Sequence, residues 1–165
     1  MMSSASWLAL SVFTILLLAA AYSDVITMRI PNAISVALVL CFLLDALVTG
    51  ASIERTLLHL MSGALMLAAG FGLFASGLVG GGDVKLASGI ATWVGISGSL
   101  DFMLTTAVFG GVLTIVLLIF RSIRLPVAAQ GWGWLARLHH KGTGVPYGVA
   151  LAAAGLILSP ASPFL

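Results

Sequence analysis

The chain has 165 residues, 61% of them hydrophobic and 7% charged, and its mean hydropathy is +1.20. Soluble domains carry about a quarter charged residues, so a water-soluble fold is excluded, and the length fits a single domain spanning residues 1–165. A net charge of +2 spread over so few groups leaves no basic face for nucleic acid, and the single cysteine, Cys41, excludes an internal disulfide or a paired-cysteine metal site.

The predicted elements are all helices. A membrane span needs about 20 mostly apolar residues. Apolar runs fall near 6–23, 33–50, 56–79, 84–99, 102–120 and 145–159. The expected class is therefore an all-α integral membrane protein with about six transmembrane helices. In the first run, LLLAAAYS resembles a signal-peptide core, but no Lys or Arg precedes Arg29, and a cleaved signal carries early positive charge. Breaks are expected at Ile30–Asn32, Thr49–Ser52, Gly80–Asp83 and Ser97–Ser99. Pro31 and Asn32 suit a turn that caps the second helix. In the third, Gly63, Gly70 and Gly77 recur every seven residues, which puts them on one face and lets backbones approach closely in lipid. Cys41 reads as a small buried residue, and His59 as an interfacial one near a helix end.

The connection 121–144 is the one long polar segment and reads as a cytoplasmic or interfacial loop. Its QGWGWLARLHHKG stretch puts Trp132 and Trp134 beside Arg137, a composition suited to the membrane surface. His139 and His140 are adjacent rather than one helical turn apart, which argues against a metal site. No metal or cofactor is expected. With six alternating spans, Arg29, Lys85, Arg121, Arg124, Arg137 and Lys141 all face one side and Arg55 the other. The positive-inside rule makes the rich side cytoplasmic and turns both termini outward.

The chain has five carboxylates: Asp24, Asp45, Glu54, Asp83 and Asp101. An ionisable side chain within a span is a functional hypothesis by default. Glu54 and Asp101 fall in outward connections, where water explains them. Asp45 lies within the second span, roughly 18 Å along the helix from the end that carries Asn32. Asp24 closes the first span and Asp83 opens the fourth, so both lie at one depth near the cytoplasmic face. Two carboxylates that close cannot both ionise easily. The ionised one takes a proton from water while the protonated one donates to a peptide carbonyl, which is aspartic-protease chemistry. Glycines before Asp83 would let the backbone bend and approach a substrate strand. On spacing alone an equal case exists for a plain turn, with Asp83 capping the next helix and Asp24 paired with Arg29. Lys85 reads as a headgroup anchor or a contact to substrate.

Three motifs bring in a resemblance. GGGDVKL resembles the GxGD signature of membrane aspartic proteases, with Gly80, Gly82 and Asp83 at the fixed positions. SDVITMRIPN resembles the segment around the first catalytic aspartate of prepilin peptidases, with Asp24, Arg29, Pro31 and Asn32. VPYGVALAAAG resembles that family's PYG motif, through Pro146 and Tyr147. The resemblance implies that Asp24 and Asp83 are the catalytic pair. It implies that the remaining motif residues, with Lys85, support the site or the substrate. It also implies that the substrate is a type IV pilin-like precursor whose short basic leader is cut at the cytoplasmic face of the bacterial inner membrane. Larger members carry an extra region with paired cysteines and also methylate the new N-terminus. This chain is similar to the compact type of Flp (tight-adherence) pili, so methyl transfer is not expected. A proton-coupled carrier, which would need Asp45 as much as Asp24, and a non-catalytic pilus assembly subunit are the other classes the carboxylates allow.

Overall fold

The computed structural model describes residues 4–126 and 131–158. Its helices are α1 (Ser4–Thr27), α2 (Asn32–Thr49), α3 (Ile53–Ala75), α4 (Gly81–Ser122), a short α5 (Gly133–His139) and α6 (Tyr147–Leu158). There is no strand among the described residues. The segment from Trp7 to Thr27, α2, α3 and α4 are each long and apolar enough to cross a membrane, and α6 is a shorter apolar helix. Large apolar side chains such as Leu8, Ile15, Leu47 and Val108 point outward and are more than half exposed. Such a continuous apolar exterior has no place in water and suits lipid.

A straight α4 of 42 residues would be about 63 Å long, twice the hydrocarbon core. It is not straight. Gly95 has φ 77° and ψ 175°, outside the helical region, and the chain doubles back there. Ala87 from the first limb and Thr106 from the second line the same cavity. The two limbs, 81–94 and 96–122, are thus the fourth and fifth of the six expected passes. The break falls at Gly95 rather than at Ser97–Ser99. A left-handed φ is cheap only for glycine, whereas Ser99 continues the helix and donates its hydroxyl to the Gly95 carbonyl at 2.7 Å.

His59, expected at the membrane surface, is instead an internal brace of this bend. Its Nδ1 lies 2.9 Å from the Thr92 carbonyl oxygen, its ring stacks on Phe42 at 5.5 Å, and it covers Gly95. The three α3 glycines also divide. Gly63 faces Thr92 and Ser88, and Gly70 faces Val84, so these two let α3 lie close against α4. Gly77 lies beyond the end of α3 with φ 75° and open space around it. There, Leu78 N–H bonds the Leu73 carbonyl and Gly77 N–H the Phe74 carbonyl, the paired pattern that closes a helix with a left-handed residue.

The core forms where α1, α2, the first limb of α4 and α6 meet. Phe13 and Leu17 of α1, Leu38 and Phe42 of α2, Ile90 and Trp93 of α4, and Ala154 of α6 are fully or almost fully buried. Trp93 packs on Phe13 with ring centroids 4.7 Å apart and donates its indole N–H to the Leu38 carbonyl at 2.9 Å. A buried indole needs such a partner, and the bond fixes α4 against α2.

Candidate active site

Asp24 lies one turn before the end of α1, inside the helix rather than after it. It is 5% exposed. Its Oδ2 accepts a hydrogen bond from the Gly148 N–H at 2.7 Å. Gly148 is in the first turn of α6, where backbone N–H groups have no helical acceptor and favour negative charge. Asp24 fills that need, and Arg29 is exposed instead. Close approach makes the glycine necessary. A Cβ at position 148 would sit 2.8 Å from Asp24 Oδ2 and 2.8 Å from Ile30 Cδ1.

Asp83 is in the first turn of α4. Its carboxylate takes a hydrogen bond from the backbone N–H of Gly80, the residue that caps the helix. A side chain at the third helical position that reaches back to the capping N–H is one half of a capping box. The charge of Asp24 acts on Asp83, so two carboxylates from α1 and α4 share one polar locus. Ile30 links them. It touches both the Gly82 position and the Gly148 position.

The glycines before Asp83 serve packing rather than unusual backbone angles. None of Gly80, Gly81 and Gly82 has a positive φ. A side chain at Gly80 would meet the Asp83 carboxylate, one at Gly81 the Phe74 ring, and one at Gly82 Ile30.

The other motif residues take distinct places. Pro31, not Asn32, is the N-cap of α2, and no side chain caps that helix. Asn32 is its first helical residue, and its Oδ1 accepts from Lys85 Nζ at 3.0 Å. Lys85 therefore ties α4 to α2 and points away from the carboxylates. Arg29 contributes its carbonyl, which accepts from the Ser23 hydroxyl at 2.8 Å and the Thr27 hydroxyl at 3.2 Å. Pro146 is buried immediately before α6. Tyr147 lies over Gly110 of the second α4 limb, where a Cβ would overlap its ring and hydroxyl. It lines an apolar cavity of about 240 Å³ together with Asp83.

Asp45 stands apart. It faces Leu8, Ala9 and Val12 near the other end of α1, at least twelve residues and about 18 Å of helix from Asp24. Phe13, Leu17, Leu38 and Phe42 fill the core between them. Among the described residues no three His, Cys, Asp or Glu side chains converge as metal ligands would.

Two arginines, read in the sequence only as charges of one side and of the membrane surface, hold the long connection against this end. Arg121 donates through Nε to the Leu138 carbonyl at 2.7 Å and through a terminal nitrogen to the Gly144 carbonyl at 2.8 Å. Arg137 donates to the Ile26 carbonyl at 3.0 Å, two residues past Asp24. In the described part of the loop, Trp132 and Trp134 stack at 6.3 Å, while residues 127–130 lie outside the described residues. His139 bonds the Ile123 carbonyl at 2.7 Å, and His140 accepts from Gly142 N–H at 3.1 Å. Each histidine is thus used in shaping the loop.

An all-helical, multi-pass membrane protein with two carboxylates gathered about Ile30 at one end defines the class. A model of the Type IV leader peptidase family matches residues 11–115, which include Asp24, Asp83 and both α4 limbs down to Ile115. The chain belongs to that family, and is a prepilin-peptidase-type protease of the membrane whose substrates, as a class, are pilin precursors. The PYG motif at Pro146–Gly148 lies beyond the matched residues. No curated protein and no solved structure matches the chain.

Proposed function

We propose that the chain is an aspartic endopeptidase in which Asp24 and Asp83 jointly activate water to release the leader of a pilin-like precursor. What supports this reading is that both carboxylates lie about Ile30 at one end of the bundle, with Asp24 held by Gly148 N–H and Asp83 held by Gly80 N–H and subject to the charge of Asp24. One member is ionised and removes a proton from water, whose oxygen attacks the scissile carbonyl carbon. The protonated member donates to the carbonyl oxygen. The resulting gem-diol collapses, the C–N bond breaks, and the proton taken from water passes to the leaving amine. One gem-diol hydroxyl gives its proton to the carboxylate that had become ionised, which forms the new carboxyl end and returns the pair to one shared proton. Each residue thus serves in turn as acid and base.

The site works from the cytoplasmic side of the bacterial inner membrane. Arg121 and Arg137 reach the end of the bundle that holds Asp24, and positively charged connections stay in the cytoplasm. The precursor we propose is one of the Flp type. The test is co-expression with candidate precursors, with leader removal scored on a gel. Wild type and Asp45→Asn process the precursor, whereas Asp24→Asn and Asp83→Asn leave it full length. Processing by either of the last two rejects the paired-acid reading.

A further inference from the structure

Helices α2 and α3 both pack on α4. Away from the carboxylates they meet, where Phe42 of α2 stacks on the His59 ring of α3 at 5.5 Å. Nearer the carboxylates a cleft of about 460 Å³ lies between them, floored by Ser88 and Gly89 of α4. It has nearly twice the volume of the chamber beside Asp83, which is about 240 Å³. Its walls are apolar, formed by Val36, Val39 and Leu40 of α2 and Leu67 of α3. Val36 and Leu40 are more than half exposed. Asn32 and Lys85 stand at its polar end, and Leu40 lies about 12 Å of helix further along α2.

Lys85 is exposed, and its ammonium carries three N–H donors. One of them meets the Asn32 Oδ1 at 3.0 Å, a neutral amide that cancels no charge. Neither Asp nor Glu lines this cleft, and Asp83 lines the other chamber. The Ser88 hydroxyl is already given to the Gly63 carbonyl at 2.8 Å. Lys85 is therefore the group that sets the charge of the cleft, with donors to spare. Mostly apolar walls, a few placed polar groups and a volume of about 300–1,000 Å³ are the usual make-up of a small-molecule site.

We propose that this cleft binds an anionic phospholipid, with the headgroup phosphate on the Lys85 ammonium and an acyl chain along Val36, Val39, Leu40 and Leu67. A lysine near a helix end extends its stem over apolar surface and holds its charge at the level of the headgroups. There it attracts anionic lipid, and the bonds from ammonium to phosphate are of the strong, charge-assisted kind. An apolar protein helix would fill the walls but leave the ammonium without a counterion, which the phosphate supplies. The lipid lies on a face of the bundle apart from the Asp83 chamber, so its binding does not depend on the aspartic-peptidase reading.

The test uses the full-length protein purified in detergent and counts retained lipid by native mass spectrometry. The probes are phosphatidylglycerol and phosphatidylcholine with the same acyl chains. Wild type retains the anionic lipid about fivefold more than the zwitterionic one, the size of one cation beside an anionic headgroup. Lys85→Gln removes the charge and with it the preference, whereas Lys85→Arg keeps it. Lys141→Gln removes an exposed cation elsewhere and also keeps it. Val39→Trp fills the cleft and lowers retention of both lipids. Glycerophosphate, which has the phosphate without acyl chains, does not displace the lipid at equal concentration. Equal retention of the two lipids by wild type overturns the proposal, as does an undiminished preference in Lys85→Gln or an equal loss in Lys141→Gln. Displacement by glycerophosphate would make this a site for free anions and overturn the lipid assignment. If Lys85→Gln lowers the thermal midpoint, Val39→Trp decides instead, and undiminished retention there overturns the proposal.

Discussion

The contact between Gly148 and Asp24 sets the geometry of the site. Only hydrogen fits at position 148, because a methyl group would press on both Asp24 Oδ2 and Ile30. Gly148→Ala should therefore displace the carboxylate and lower the rate of leader removal by about 100-fold, since an error of about 1 Å in a reacting group costs that much. Asp45→Asn should retain cleavage, because Asp45 lies against Leu8 and Val12 at the far end of α1. Initial rates on one precursor check both. Asp24 and Asp83 stood out as candidates in the sequence because carboxylates are rare in apolar runs and these two carry motif neighbours. The role of Gly148 was hidden, since it depends on where α6 begins relative to a helix 124 residues earlier.

At the scale of elements, the bend in α4 decides whether the cavity exists. Gly95 combines a left-handed φ with a Cβ direction only 2.8 Å from the His59 ring. Gly95→Ala meets both obstacles and should cost about 1–3 kcal/mol from the backbone conformation alone, seen as a lower thermal midpoint. Gly111→Ala in the same helix faces open space and should leave stability unchanged or raise it by up to about 1 kcal/mol. Equal behaviour of the two variants would mean that Gly95 does not govern the bend. The six apolar runs announced the passes through composition alone. The site of reversal was misplaced by two residues because glycine and serine clusters mark breaks only locally. Here the choice is made by His59 and Thr92, across α3 and α4. Likewise, the seven-residue spacing of glycines on α3 predicted packing for Gly63 and Gly70 but missed the helix-ending role of Gly77.

Across the whole molecule, the carboxylate end is assembled from four separate stretches of chain and tied by two arginines. Arg121 holds Leu138 and Gly144, just ahead of Pro146 and Gly148. Arg121→Ala should release the loop, speed its cleavage by added protease between residues 131 and 146, and lower leader removal severalfold without unfolding the bundle, because the core of Phe13, Phe42 and Trp93 lies elsewhere. Composition revealed the lipid-facing exterior and charge the shared side of the connections. The tertiary ties were not legible, since an arginine that bonds backbone carbonyls looks in sequence like any surface charge. The most direct test of the account is kcat/KM for Asp24→Asn, Asp83→Asn and the double variant, measured on purified protein. Residues acting as one unit lose activity non-additively, so each single change should reduce kcat/KM by at least about 100-fold, with the double no worse than either. Losses that multiply, or a single variant close to wild type, would contradict a shared-proton pair.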